Sequence, residues 1–194
     1  AGTLFYGETD ECPHKIEFAD AKEIHEIKIE GLEPETQYFY RTETKLKPGD
    51  EPLSSEVATF QTAVKRDTPF AFAVISDTQG NPKVSGTVGD FAWAQRPSFL
   101  LHAGDLVSTG KNESHWTEHF FPSMNPLMRH VPTFPVLGNH EQDAKFYYDY
   151  FSLPEPEYYY QFRFGNSDFF MIDTNRNVDP ESEQYKWLEK ALSE

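Results

Sequence analysis

The rhythm of apolar and polar positions changes near residue 64. Before it, apolar and polar residues alternate with the period of a half-buried strand. "TLFYG" ends a strand at Gly7, and "EIHEIKIEGL" (23–32) sets His25, Ile27 and Ile29 on one face and Glu26, Lys28 and Glu30 on the other. "GLEPETQYFYRTET" (31–44) and "SEVATFQTA" (55–63) continue the pattern, with polar turns such as "KPGDEP" between them. Residues 1–63 are therefore predicted to be an all-β unit, and "VKRDTP" (64–69) its linker to the next.

Beyond the linker the apolar runs lengthen and lose their alternation. "FAFAVIS" (70–76), "SFLLHA" (98–103) and "TFPVLG" (133–138) are apolar on both faces, as in a sheet covered on both sides. "YYYQFRFGNSDFFMID" (158–173) predicts a hairpin turning at "GNSD". The segment from Asp179 onward predicts a helix capped by Asp179, with Pro180 at its first position and Trp187, Leu188, Ala191 and Leu192 on one face.

Each of the three runs ends on polar residues: Asp77-Thr78-Gln79, Gly104-Asp105, and Gly138-Asn139-His140-Glu141. An acid after a strand is as a rule a turn or helix cap. Three such endings in order mean more, because ligands of open α/β sheets bind beyond the carboxyl ends of the strands. Asp, Asn and Gln oxygens with an imidazole nitrogen suit divalent first-row metals. "HWTEH" (115–119) also matches H-x-x-E-H, a zinc-peptidase pattern, but Pro122 and "TGKN" confine it to a short helix. His102, inside an apolar run, reads as a core histidine, and Asp173 as a structural turn.

Composition narrows the partners. The net charge of −15 repels polyanions, which excludes a general nucleic-acid or anionic-membrane binder. Cys12 is the only cysteine, so neither an intrachain disulfide nor a thiolate metal site can form. No apolar segment approaches the ~20 residues of a transmembrane helix. Seventeen Phe and ten Tyr point to a core rich in large rings.

The ordered set "DTQ…AGDLV…GNHE" resembles the calcineurin-like metallophosphoesterases, whose pattern runs D-x-H, G-D, G-N-H-[DE], a lone His and G-H-x-H. The intervals agree, with 28 positions from Asp77 to Asp105 and 34 from Asp105 to Asn139. "LEPETQY" (32–38) resembles the tyrosine corner of fibronectin type III-like domains, in which Tyr38 would cap a loop backbone. The two units in this order are similar to the layout of purple acid phosphatases. The resemblance implies an incomplete fibronectin type III-like β-sandwich (1–63), then the N-terminal part of a four-layer α/β/β/α metallophosphoesterase domain (70–194), the chain being truncated at both ends.

The resemblance also implies two divalent ions (Mn, Zn or Fe) and hydrolysis of a phosphate ester by a metal-bridging hydroxide. Asp77 and Gln79 would bind the first ion, Asp105 would bridge both, and Asn139 would bind the second. His140 would act at the phosphate or the leaving oxygen. It further implies a secreted, periplasmic or cell-surface protein. Three departures bear on this. Gln79 replaces the family's His, Ser108 stands where purple enzymes carry their colour-giving Tyr, and no His follows His140. The stretch by itself is thus expected to hold metal poorly and to be inactive. The alternative is a binding or cell-surface module with a degenerate phosphoesterase half.

Overall fold

The computed structural model describes residues 1–20, 22–47 and 49–193. Strands β1 (Gly2–Gly7), β2 (His14–Phe18), β3 (Gln37–Thr44), β4 (Leu53–Ser54) and β5 (Ala58–Gln61) form one antiparallel sheet. The eight-residue β3 organises it, pairing along its length with β1 on one side and with β4 and β5 on the other. Leu4, Tyr38 and Ala58 are its buried residues besides Gly7, and the Tyr38 hydroxyl accepts the Glu33 N–H at 3.0 Å. That bond closes the loop entering β3.

Residues 23–32, expected as a strand, join no ladder. Their alternation is nevertheless real: His25, Ile27 and Ile29 are half-buried, while Glu26, Lys28 and Glu30 are exposed. Alternation reports only that one face is covered; a ladder also needs a neighbour with free N–H and C=O groups. Ile29 lies beside Leu4, Tyr40 and Phe60, over the sheet face. Among the described residues there is accordingly one sheet in this unit rather than the two of a sandwich. Strand β2, not foreseen, pairs with β1 through register Leu4↔Ile16.

The second unit begins with β6 (Ala73–Ile75), β7 (Leu100–His102) and β8 (Thr133–Pro135), parallel and in the order β6-β7-β8. Helix α1 (Pro82–Ala94) connects the first two strands. A π-helical turn (His115–Phe120) running into α2 (Phe121–Met128) connects the second pair. These helices cover one face of the sheet, and Leu100, Leu106, Trp116, Phe120, Met124 and Leu127 form the dry core beneath them. Helix α3 (Lys145–Tyr150) adds Tyr147 to this core.

The other face of the sheet carries the hairpin of β9 (Tyr160–Phe164) and β10 (Ser167–Met171), which turns at Gly165-Asn166 as its sequence predicts. Alternation drives the packing: Phe162 and Phe169 face the sheet, where Phe162 stacks on Phe134 at 3.8 Å and Phe169 meets Phe99 edge-on at 5.2 Å. Phe170, on the opposite face, meets Trp187 of α4 (Glu183–Ser193). Helices, sheet, hairpin and helix thus form four successive layers.

Helix α4 starts later than its sequence suggested. Ser182, not Asp179, caps it, its Oγ accepting the Tyr185 N–H at 3.2 Å. Leu192 is exposed rather than on the packed face, and Gln184 is the buried anchor. Its side chain brackets Asp173, accepting from the backbone N–H (2.8 Å) and donating to the carbonyl (3.0 Å). Two buried hydrogen bonds of Gln184 anchor the helix where the pattern offers an apolar contact.

The two units touch directly. Tyr40 donates to the Arg129 carbonyl at 2.8 Å, His130 Nδ1 accepts the Thr59 N–H at 3.3 Å, and Arg129 pairs with Glu56 at 3.0 Å.

Candidate metal centre

The three parallel strands end side by side, so the loops after their carboxyl ends are neighbours. In the first loop, Asp77 takes the left-handed conformation (φ 56°), and its N–H donates to the Gly104 carbonyl at 3.2 Å. This bond joins the first loop to the second. Asn81 closes the first loop, its side chain accepting the Val84 N–H to cap α1, with Pro82 in the first turn.

Thr78 anchors the first loop from below. Its hydroxyl donates to the Leu106 carbonyl at 3.0 Å and lies 3.0 Å from His102 Nε2. With its only proton on Leu106, the hydroxyl must accept from Nε2–H. His102 is therefore the neutral Nε2–H tautomer, and its buried Nδ1 has no partner among the described residues. Burial lowers the His102 pKa to about 4, with the Asp77 carboxylate opposing. It is the core histidine its sequence setting suggested.

The second and third loops are braced more heavily. Glu141 is fully buried, and its carboxylate accepts from the N–H groups of Gly138 (2.7 Å), Asp105 (2.9 Å) and Val107 (3.2 Å). Burial pushes its pKa up, against these three donors. Gly110 N–H donates to the His140 carbonyl at 2.8 Å, and His140 N–H to Asp105 Oδ1 at 3.0 Å. The loops approach so closely that a Cβ on Gly138 would stand 2.1 Å from Asp105 Oδ1. One on Gly110 would stand 1.9 Å from the Glu141 carbonyl oxygen. Asp105 is itself left-handed (φ 55°), at a backbone expense of roughly 1–2 kcal/mol.

His140 Nδ1–H donates to the Ser108 carbonyl at 2.9 Å, which leaves Nε2 without a partner among the described residues. That bond raises its pKa; burial works the other way, and the charges of Asp105, Glu141 and Asp77 add to the rise.

These residues fit a hard divalent cation in donor chemistry. The donors of the four ligand positions are all oxygens: carboxylates of Asp77 and Asp105, amides of Gln79 and Asn139. Asp77 and Asn139 are exposed to an incoming ion. Gln79 Oε1 is buried without a hydrogen-bond partner among the described residues, an arrangement that costs about 1–3 kcal/mol unless a ligand relieves it. Among the described residues, however, no group of three or more His, Cys, Asp or Glu is gathered to hold a metal. Two of the four donors are amides, so only two carboxylates remain to supply charge.

The H-x-x-E-H reading gains no support. His115 and His119 stack at 5.3 Å in the π-helical turn, with no third ligand among the described residues. Trp116 between them is buried behind the second loop, its Nε1–H donating to the Gly110 carbonyl at 2.8 Å.

Sequence reasoning missed Glu141 as the brace of two loops and Thr78–His102 as the tether of the first. The acid of "GNHE" was in view, but nothing in a linear pattern shows that it points inward. Asp173 is structural, as read: it is buried and accepts from Asn175 and Arg176.

Comparison with known proteins identifies the family and the fold. The family model described as calcineurin-like phosphoesterase matches residues 70–192. Purple acid phosphatase 23 of Arabidopsis thaliana is 28% identical over 88% of this chain and 44% of its own length. Purple acid phosphatase 22 of the same plant is 27% identical over 95% of this chain and 44% of its own. The chain thus spans less than half the length of these relatives. Its fold is similar to that of purple acid phosphatase PPD1 from yellow lupin (Lupinus luteus) seeds, with a TM-score of 0.77 and 14% identity over 99% of this chain and 43% of that one.

Proposed function

From the premise that this chain belongs to the calcineurin-like phosphoesterase family, we propose that it carries part of the site of a metal-dependent phosphoesterase. Its substrates are phosphate esters. One observation carries the reading: the loops after three adjacent parallel strands, joined through Asp77–Gly104 and Asp105–His140 bonds, hold the three motifs.

In this proposal Asp77 and Gln79 would hold one divalent ion and Asn139 a second, with Asp105 contributing to both. The bound ions would neutralise charge on the phosphoryl oxygens and acidify a water. The chain's own contributions are positional and acid–base. Asp105 is oriented by the His140 N–H, and His140 by the Ser108 carbonyl, which fixes the proton on Nδ1 and turns Nε2 outward. Protonated His140, favoured by its raised pKa, gives its Nε2 proton to the leaving oxygen.

The β unit of residues 1–63 we assign to the fibronectin type III-like class, supported by the Tyr38–Glu33 bond, the geometry of a tyrosine corner. Residues 64–69 we take as its linker and residues 70–194 as the phosphoesterase unit, of which the family model matches 70–192. A secreted, periplasmic or cell-surface location follows from the same likeness. The runner-up reading, a non-catalytic binding module, is favoured by Gln79 in place of His and by the sparse charge at the centre.

The test is hydrolysis of 4-nitrophenyl phosphate by the full gene product supplied with Mn²⁺, Zn²⁺ or Fe²⁺, alongside calorimetric metal titration. Asp105→Ala should abolish both activity and tight binding; His140→Ala should lower kcat while leaving the titration unchanged. Undiminished activity in Asp105→Ala would remove the assignment of Asp105.

A further inference from the structure

Immediately after "GNHE" the chain takes two consecutive left-handed residues, Gln142 (φ 56°) and Asp143 (φ 50°). Neither is Gly, so the conformation has to be held from outside. Arg176 holds it. Its guanidinium donates to Asp143 Oδ1 and, through Nε at 3.1 Å, to Asp173 Oδ2. It also reaches the Tyr148 hydroxyl at 3.3 Å and lies over the Tyr158 ring at 3.9 Å. The loop carrying Asn139 and His140 is thereby fastened to the end of β10.

Between these two segments is a cavity of about 280 Å³ whose wall includes Asn139, Gln142, Asp143, Asp173, Asn175 and Arg176. Asn139 belongs both to this wall and to the metal-binding set proposed above, so the cavity adjoins the place where phosphate would sit. Its chemistry is selective. The amide of Gln142 and the Nη1 of Arg176 have no hydrogen-bond partner among the described residues, and they offer donors and an acceptor to a ligand. Two carboxylates against one guanidinium leave the wall net negative, which repels a second phosphate. No aromatic ring lines it among the described residues. The volume is at the lower limit of the roughly 300–1,000 Å³ of ligand pockets.

We propose that this cavity receives the leaving group of the ester, and that it selects a small, neutral, hydroxyl-bearing alcohol over an aryl group or a second phosphate. Arg176 is the residue that keeps the cavity open, by pinning Asp143 to Asp173. The proposal rests on the phosphoesterase reading and adds to it the substrate class.

The experiment compares kcat/KM of the full gene product, loaded with Mn²⁺, on glycerol phosphate, 4-nitrophenyl phosphate and pyrophosphate. The wild type is expected to favour glycerol phosphate. Gln142→Phe, which fills the cavity, should cut kcat/KM for glycerol phosphate at least tenfold, and that for 4-nitrophenyl phosphate less than threefold. Arg176→Ala should erase the preference, and Arg176→Lys should restore part of it, with the thermal midpoint read in parallel. An equal loss on both esters in Gln142→Phe, or an initial preference for the aryl ester or pyrophosphate, overturns the pocket assignment while leaving a phosphoesterase. Hydrolysis of none of the three overturns the phosphoesterase reading and this one with it.

Discussion

The first loop of the candidate centre and the pair formed by the second and third loops are held by opposite chemistry. The pair is fastened by a carboxylate: buried Glu141 gathers N–H groups from both loops, and glycines let the backbones meet. The first loop is fastened by a neutral imidazole, through the Thr78 hydroxyl, and it follows β6, at the border of its sheet, where Val74 is exposed. Among the described residues of the three loops, only the first contains a buried side-chain oxygen with no donor, that of Gln79. Half of the candidate centre is thus fastened from within, while the other half keeps an unsatisfied oxygen. The contrast also predicts different responses to acid, because protonation leaves the Nε2–H tether in place but puts a charge and an unpartnered Nδ1–H in the core.

The largest disruption should come from the carboxylate. Glu141→Ala strands three N–H donors and opens a cavity, and chemical denaturation should show a loss of about 3–5 kcal/mol. A loss under 1 kcal/mol would mean that the loops do not depend on this brace. The imidazole side is probed by pH. His102 has a folded pKa of about 4 against 6.5 for an ordinary histidine, so the unfolded chain binds the extra proton between those values. Its contribution is complete above pH 6.5 and is lost as the pH falls toward 4, by about 3 kcal/mol. His102→Gln should flatten that part of the stability–pH curve; an unchanged slope would show that other groups produce it.

Smaller changes sharpen the comparison. Gly138→Ala puts a methyl against Asp105 and should lower stability by about 1–3 kcal/mol, whereas Gly80→Ala, with open space around its Cβ, should lower it by about 1 kcal/mol from backbone strain alone. Equal losses would argue that the contact between the second and third loops is loose. Gln79→His removes the unbonded amide oxygen and should change stability by no more than the about 1–3 kcal/mol which that oxygen costs. It should tighten binding of Zn²⁺ about tenfold by calorimetry, near 1.4 kcal/mol, by supplying a borderline-soft nitrogen.

The site's outline was legible because an apolar run ending on Asp77, Asp105 or Asn139 states where a buried strand stops and a polar loop begins. The hairpin at Gly165-Asn166 was legible for the same kind of reason, a local turn between alternating segments. What escaped were pairings between distant residues. Glu141 meets Val107, and Gln184 meets Asp173, across intervals that only the folded chain closes. Residues 23–32 show the complementary limit, since their side-chain periodicity was read correctly while their backbone found no partner strand. Local patterns specify faces and ends; which faces and ends meet is decided by packing.

The unpartnered Gln79 oxygen has a spectroscopic consequence. A side-chain carbonyl lacking a donor absorbs at a higher infrared frequency than one that is bonded, and coordination to a cation moves the band down. In protein labelled with heavy carbon at glutamine side chains, the difference spectrum against Gln79→Leu isolates this one oscillator. Its displacement on adding Mn²⁺ would register arrival of the ion at the first loop itself, with no substrate and no turnover required.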